Sequence, residues 1–535
     1  MKKTLKKLSS KINGDKLFLV SNILFWSAIF LTFFVTGIQN LDPDFAWHLR
    51  VGEEISITRQ VPSIEKYLFP TLGEHWVDHE WLSNLLLFNI YSFFGNFGYW
   101  SLGIIFALIA LGTVSLVAKI NRKYFVAELP RWDFFFLNTV FTTLATLALL
   151  RSYGIRLQVM TWLFFVLCFW LYFKIEKERK LKYLWAFPVL FCLWANLHGT
   201  FVLGLAISLL LLAFLFYKNK EKVLRVKITI AGFLTIFSTL LTPYGIELWK
   251  LIAGEYTQNT SYLVRIFEWL PLYAAPYIEW YATFYLSLII FVFLISLILK
   301  TLPKKPSVLL YSIFVIFTLL ISVKSRRFIS MFALCSFPFA IFAISKMLDG
   351  KIIKKYFGII VCIIALPIIC NKLVYASTVP KNLLIQNTPM APYKAVAFLK
   401  ENKQLHPYNI YNKYGWGGYL VWMWPEKLHF IDGRMPQKPL TDGTSFIEEY
   451  HLFREDAILT KEKLTQYDIK IALLSQERSV ADSLPSYQKF ILKYLFSVDI
   501  KDFEGTDTLR EYLEKNWKEI YADDFSVVYI SPEIE

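Results

Sequence analysis

The sequence predicts a polytopic α-helical membrane protein with an α/β domain outside the membrane, and three observations predict it. Hydrophobic residues make up 56% of the 535-residue chain against 19% charged, and the mean hydropathy is +0.43. The apolar residues gather into runs of about 18 to 22, long enough to cross a ~30 Å hydrocarbon core as helices. The charge is divided unevenly. From Lys381 to Glu535 there are 19 basic and 23 acidic residues, which leaves 38 basic against 19 acidic for the first 380. This composition excludes a disordered chain, a disulfide scaffold and an ordinary soluble enzyme. A transmembrane barrel would alternate apolar and polar residues in ~10-residue segments instead. No basic stripe or nucleic-acid motif is present, so no nucleic-acid partner is expected.

The Lys-rich N-terminus, Met1 to Lys16, precedes an apolar run over Leu17–Gly37. That run is too long for a signal-peptide core and no small-residue cleavage site follows, so it reads as a retained first span. Eleven spans are predicted, starting near Leu17, Trp100, Phe134, Leu157, Tyr183, Phe201, Ile228, Tyr281, Val308, Phe328 and Tyr356. Trp81–Phe94 is apolar but short, and reads as an interfacial or partly embedded helix outside that count. With the N-terminus inside, every inside segment is Lys-rich, from Lys2 and Lys3 through Lys174–Lys182 and Lys218–Lys227 to Lys351–Lys355. An odd number of spans puts the tail outside. The expected division is a transmembrane domain over 1–375, with a long first outside loop (38–80), and a soluble α/β domain over 376–535. In the tail, Ala395–Leu399 and Lys461–Tyr467 read as helices. Tyr408–Tyr411, Leu428–Ile431, Ile469–Leu474, Lys518–Tyr521 and Ser526–Ile530 read as strands, the last two a hairpin around Asp523-Asp524. The five cysteines all fall in apolar runs, without metal-ligand spacing, and read as core packing. There is no internal repeat of the kind transporters carry.

Costly polar residues mark where a membrane protein works. The first outside loop opens on Asp42-Pro43-Asp44-Phe45-Ala46-Trp47-His48-Leu49-Arg50 and closes on Trp76-Val77-Asp78-His79-Glu80-Trp81. Pro43 disfavours helix through Asp42, so the acids sit in a turn entering a helix near Asp44, with His48 one turn on. A carboxylate at the membrane surface beside apolar groups is suited to general-base work. Two clustered carboxylates suit a divalent cation, and Asp42 with Glu80 is the expected pair for Mg or Mn. The outside ends of other spans hold Arg151, Arg156, Lys324, Arg326 and Arg327 against the inside-positive trend. The planar fork of arginine fits a phosphate head group. Asn196-Leu197-His198-Gly199 forms another outside turn. In the tail, Tyr411 to Leu420 carries Tyr414-Gly415-Trp416-Gly417-Gly418-Tyr419, whose glycines permit close backbone approach and whose aromatics suit a sugar ring or prenyl chain. Ile431-Asp432-Gly433-Arg434 ends the second tail strand.

On these residues the chain resembles the GT-C class of membrane glycosyltransferases. More closely, it resembles a bacterial branch whose first outside loop reads Asp-Pro-Asp-x-x-Trp-His-Leu-x-x-Gly, then a Pro, then Trp-Val-x-His-Glu-Trp-Leu. Here those are Asp42 to Gly52, Pro62 and Trp76 to Leu82. Asp42-Pro43 is similar to the Asp-Pro motif of the oligosaccharyltransferase catalytic subunit. The Tyr414–Tyr419 run is similar to that subunit's Trp-Trp-Asp-Tyr-Gly motif but lacks its Asp, so peptide-acceptor binding is not carried over. The resemblance implies a sugar donor on a polyprenyl phosphate or diphosphate, and an extracytoplasmic glycan, lipid or protein acceptor. It also implies a multi-pass protein of the bacterial inner membrane, its N-terminus cytoplasmic, acting in the cell envelope. Asp44 is the expected base of an inverting transfer, with Asp42 and His48 beside it. Arg151, Arg156, His198, Arg326, Arg327, Trp416, His79 and Glu80 are the expected substrate-binding residues. The rival classes are a transporter or flippase of polyprenyl-linked saccharide and a non-catalytic membrane scaffold.

Overall fold

The structure, a computed structural model, describes residues 14–40, 42–255, 257, 260–274, 280–298, 306–347, 356–379, 391–440, 442–476, 484, 486–495 and 507–534. In chain order the helices begin with α1 (Gly14–Gln39), α2 (Phe45–Thr58), α3 (Trp81–Phe94), α4 (Gly98–Ile120), α5 (Arg131–Leu150) and α6 (Gln158–Glu176). There follow α7 (Ala186–Leu197), α8 (Phe201–Lys218), α9 (Lys222–Ser238), α10 (Ile246–Lys250), α11 (Tyr262–Arg265), α12 (Trp280–Ile298), α13 (Pro306–Lys324), α14 (Ile329–Met347) and α15 (Tyr356–Thr378). The tail adds α16 (Tyr393–Glu401), α17 (Gly417–Met423), α18 (Phe446–Leu452), α19 (Ala457–Gln466), α20 (Ser486–Leu495) and α21 (Thr508–Asn516).

A helix stands at each of the eleven expected span positions. Among the described residues seven helical stretches are long and apolar enough to cross a membrane, while Leu181–Leu197, Thr283–Ile298 and Val308–Lys324 are shorter apolar helices. One of the seven joins α3 to α4 as a single apolar stretch, Trp81–Phe125. It is interrupted by a 3-10 turn at Gly95–Phe97, where Gly95 takes φ +51°. That left-handed backbone favours glycine, since a Cβ would meet the following carbonyl.

The chain divides into two compact units. The first takes the described residues of Met1–Leu41, Tyr99–Leu241 and Glu279–Lys381, and is all helical. In it α1 packs along α15, α5 and α13 against α14, and α9 against α7. Gly204 lets α8 approach α7 closely, for a Cβ there would lie 2.2 Å from the Trp194 ring.

The second unit takes the described residues of Asp42–Gly98, Thr242–Ile278 and Asn382–Glu535. The first loop and the Thr242–Ile278 segment therefore share a compact body with the tail. Trp47, Val51, Ile55, Tyr67 and Trp76 from the loop bury themselves with Tyr262 and with Tyr411, Val421, Phe430 and Ile431 from the tail, in one apolar core. The sheet has strands β1 (Asn409–Asn412), β2 (Ile469–Ser475), β3 (Lys518–Ala522) and β4 (Ser526–Ile530) in the order β1-β2-β4-β3. β1 and β2 are parallel, and the other pairs antiparallel. β2 and β4 are apolar and almost wholly buried, as the central strands of a covered sheet should be.

Four of the five expected strands form, and Leu428–Ile431 does not. His429 makes only isolated parallel bridges, to Leu68 and Ile410. The Asn412 side chain takes the place of a strand partner. Its Oδ1 accepts from the amides of Phe430 (3.0 Å) and Ile431 (3.3 Å), and its Nδ2 donates to the Ile431 carbonyl (2.8 Å). A side-chain amide offers the same donor and acceptor as a backbone unit, so the segment stays extended without a ladder.

Candidate functional site

The second unit brings four sequence motifs together. Both ends of the first loop use the same turn. Asp42 Oδ1 accepts from the Asp44 amide (3.0 Å), and Asp78 Oδ1 accepts from the Glu80 amide (3.1 Å). In each the first acid is buried, Asp42 at 8% exposure and Asp78 at 1%. The second acid stands at the start of a helix, Asp44 before α2 and Glu80 before α3, and neither side chain caps that helix. The Asx turn thus satisfies an orphan amide with the first carboxylate and sets the second acid at the helix entrance.

The Asp44 carboxylate, half-buried, lies over the backbone of Gly433. A Cβ at Gly433 would stand 2.0 Å from Asp44 Oδ1 and 3.0 Å from Oδ2. The neighbouring glycines are required for the same reason. A Cβ on Gly418 would lie 2.6 Å from the Pro43 carbonyl oxygen and 3.1 Å from Trp47 Cδ1, and one on Gly417 would lie 2.1 Å from the Ile431 carbonyl oxygen. The start of α17 is a glycine face pressed against both the Asp42–Asp44 turn and the Ile431–Gly433 turn.

Arg434 holds the Gly433 turn from below. Its Nε and Nη2 donate to Asp432 Oδ2 at 2.9 and 2.6 Å, and Nη2 donates to Glu65 Oε1 at 3.0 Å. Nη1 pairs with Glu65 Oε2 at 2.9 Å. Its guanidinium is 5.0 Å from the Tyr67 ring centre and 4.9 Å from that of Trp76. His429 Nε2 stands 3.5 Å from Asp432 Oδ2. All four polar side chains are buried. Burial works against the charge on Asp432, but Arg434 and His429 overcome it and hold the carboxyl below the usual carboxylate range. Glu65 also accepts from the amides of Tyr67 (2.5 Å) and Leu68 (3.0 Å), so it fixes its own loop as well.

A second buried chain runs from the other end of the loop. Asn84 Nδ2 donates to Asp78 Oδ2 (2.8 Å), which leaves Asn84 Oδ1 facing His48 Nδ1 at 2.6 Å. His48 Nε2 is then 3.9 Å from Glu80 Oε2, and His79 Nε2 is 3.9 Å from Glu80 Oε1. With Asn84 oriented by Asp78, the Nδ1 of His48 is the donor to Asn84. Burial pushes the Asp78 carboxyl up to about 7, against the pull of the Glu80 amide, Asn84 and Arg434. Asn84 is a residue that the motifs do not mark. Its signal is an amide inside the apolar run Trp81–Phe94. Glu65 carries no local signal.

Of the expected metal pair, Asp42 Oδ1 accepts from the Asp44 amide (3.0 Å), and Glu80 Oε2 stands 3.9 Å from His48 Nε2. Among the described residues no group of three His, Cys, Asp or Glu side chains is placed to hold a metal ion. The aromatic run is largely enclosed. Trp416 is 3% exposed and Tyr419 4%, with the Trp416 ring 5.4 Å from Phe525 and under Lys413. These rings pack the domain, and the half-buried Tyr414 is the more accessible one.

The first unit gathers its own polar group at the start of α6. Gln158 Nε2 donates to the Arg327 carbonyl (3.1 Å), and Thr161 Oγ1 bonds Thr200 Oγ1 (2.7 Å). Thr200 in turn holds His198, its hydroxyl 2.8 Å and its amide 3.1 Å from Nδ1. One helical turn of α6 therefore ties the Arg326–Phe328 turn to the His198–Thr200 turn, with Arg156 just before it. Arg326 is buried, Arg156 and Arg327 are half-buried, and Arg151 is exposed. Asn196 Nδ2 donates to the Cys192 and Leu241 carbonyls at 2.8 and 2.9 Å.

No protein-family model matches this chain, and no curated protein sequence does. Among solved structures it is similar to the Archaeoglobus fulgidus oligosaccharyltransferase in its apo form, at TM-score 0.44 and 12% identity over 87% of this chain and 70% of that one. The same enzyme, AglB, in complex with an inhibitory peptide and a dolichol-phosphate gives TM-score 0.45 and 11% identity, over 98% of this chain and 75% of that one. The form complexed with zinc and sulfate gives 0.43 and 11%, over 94% and 73%.

Proposed function

We propose that this chain is a membrane glycosyltransferase, moving a sugar from a polyprenyl phosphate or diphosphate to an extracytoplasmic acceptor with inversion. The observation that carries the reading is the placement of Asp44. Asp42 closes the turn onto the Asp44 amide, while the Asp44 carboxylate stands against Gly433, with Gly418 close to Pro43 and Trp47 beside it. A half-buried carboxylate held on a rigid turn, with its rotamer confined by packing, suits a base. Asp44 takes the proton of an acceptor hydroxyl as that oxygen bonds to the anomeric carbon, and the bond from that carbon to the phosphate oxygen breaks. His48 Nε2 and Glu80 Oε2 stand 3.9 Å apart, His48 ordered through Asn84 and the Glu80 amide held by Asp78. In the first unit, Arg151, Arg156, Arg326 and Arg327 are assigned to anionic head-group binding, because guanidinium forks match phosphate oxygens. A divalent cation, Mg or Mn, is proposed with Asp42 and Glu80 as its carboxylates, and it would supply charge neutralisation at the phosphate.

The test is release of polyprenyl phosphate from a panel of polyprenyl-phosphate sugars by purified protein in lipid vesicles. Folded Asp44→Asn protein should lose about 10²-fold or more of that release. Undiminished release from the variant would remove Asp44 from the chemistry.

A further inference from the structure

The tail holds an exposed aromatic strip that the transfer chemistry does not use. Helix α20 reads Ser486-Tyr487-Gln488-Lys489-Phe490-Ile491-Leu492-Lys493-Tyr494-Leu495. At about 100° per residue, Tyr487, Phe490 and Tyr494 fall within roughly 60° of one another. They are 53%, 61% and 65% exposed, while Leu492 on the opposite side is fully buried. The helix is therefore pinned to its domain by one face and presents three aromatic rings on the other. The Phe490 and Tyr494 ring centres are 4.6 Å apart. Lys489 and Lys493 follow one edge of the strip, with the Lys493 ammonium 5.5 Å from the Tyr494 ring centre.

The charge of this helix is opposite in sign to that of the tail as a whole. The tail from Lys381 to Glu535 has 23 acidic and 19 basic residues, yet the ten residues of α20 include two lysines and no acid. Aromatic rings with polar tips, edged by lysines, match a bilayer interface. There the rings sit at head-group depth, and the lysines extend along apolar surface to lipid phosphates. A second copy of the chain is a poorer match, since apposing two such strips brings four lysines together.

We propose that α20 lies on the surface of an anionic bilayer, with Tyr487, Phe490 and Tyr494 in the head-group boundary and Lys489 and Lys493 on lipid phosphates. The proposal does not depend on the glycosyltransferase reading. Single cysteines at Tyr487 or Phe490, in full-length protein freed of its five native cysteines, would be labelled with an environment-sensitive NBD probe. The protein would be placed in nanodiscs of phosphatidylcholine with and without phosphatidylglycerol. A cysteine at Ile458, 80% exposed on α19, is the reference. The expected result is blue-shifted emission at 487 and 490, quenched several-fold more than at 458 by lipids with a nitroxide near the head group. Phosphatidylglycerol should strengthen it, and Lys489→Glu with Lys493→Glu should remove that gain. Water-like emission overturns the proposal. So does a blue shift that nitroxide lipids do not quench, which would mean that a protein surface covers the strip.

Discussion

In Asp42-Pro43-Asp44 the first carboxylate turns inward to the Asp44 amide and the second lies over Gly433, so the two acids predict different losses. Asp42→Ala removes a helix-entry hydrogen bond and should cost about 1 kcal/mol of stability. Asp44→Asn should leave the unfolding midpoint nearly unchanged while abolishing most transfer. Comparing the two variants by thermal unfolding and by phosphate release separates them, and equal loss of stability would sink the division. Asp78 gives a pH signature. Its carboxyl is raised by burial from 3.8 to about 7, so between those values the folded chain keeps a proton that the unfolded chain has released. Stability should therefore fall as pH rises across that window, by on the order of 4 kcal/mol at most. Asp78→Asn, with no proton to lose, should flatten that slope in unfolding measured in detergent from about pH 4 to pH 8. An unchanged slope in the variant would assign it to other groups. At Arg327, lysine keeps the charge but loses the planar fork, so Arg327→Lys should weaken binding of a polyprenyl-phosphate analogue with little effect on folding. Equal affinity would make that arginine a lipid anchor.

At the scale of elements, the glycine in Trp-His-Leu-x-x-Gly has a packing reason. Gly52 is where α2 crosses α3, and a Cβ there would lie 2.1 Å from the Asn84 carbonyl oxygen. Gly52→Ala must push the helices apart and carry Asn84 away from His48. An overpacking cost of about 1–3 kcal/mol is expected, together with lost transfer. A variant as stable and active as the parent would show that the two helices tolerate the shift. The sequence made much of this level legible. Hydropathy located a helix at every expected span, because burial and length in apolar solvent are properties of the segment itself. Four of the five tail strands were legible from short runs that mix β-branched, aromatic and other apolar residues. Leu428–Ile431 has the composition of a strand but satisfies its amides on Asn412, a partner sixteen or more residues away whose role no local pattern reveals. Likewise the motifs pointed to Asp44 and Glu80 but not to Asn84 or Glu65. Those two act through partners distant in the chain, His48 in one case and Arg434 in the other.

At the scale of the whole molecule, the Lys-rich loops predict an inside N-terminus and an outside tail. Asp524, in the turn between β3 and β4, is exposed and suits a reporter. A cysteine there, in a cysteine-free background, should react with an impermeant thiol reagent from the outer face. Reaction from the inner face alone would invert the topology. The second unit has a further property, since it is assembled from three stretches of chain. Glu65 meets Arg434 across 369 residues. At roughly 5–20 residues per second of synthesis, the loop that carries Glu65 waits about 20 to 70 seconds before its partner exists. During that interval Trp47, Tyr67 and Trp76 have no tail core to enter. The second unit therefore completes only after Arg434 is made, and a nascent chain released before Gly417 would hold the Asp42–Asp44 turn without the glycine seat beneath it.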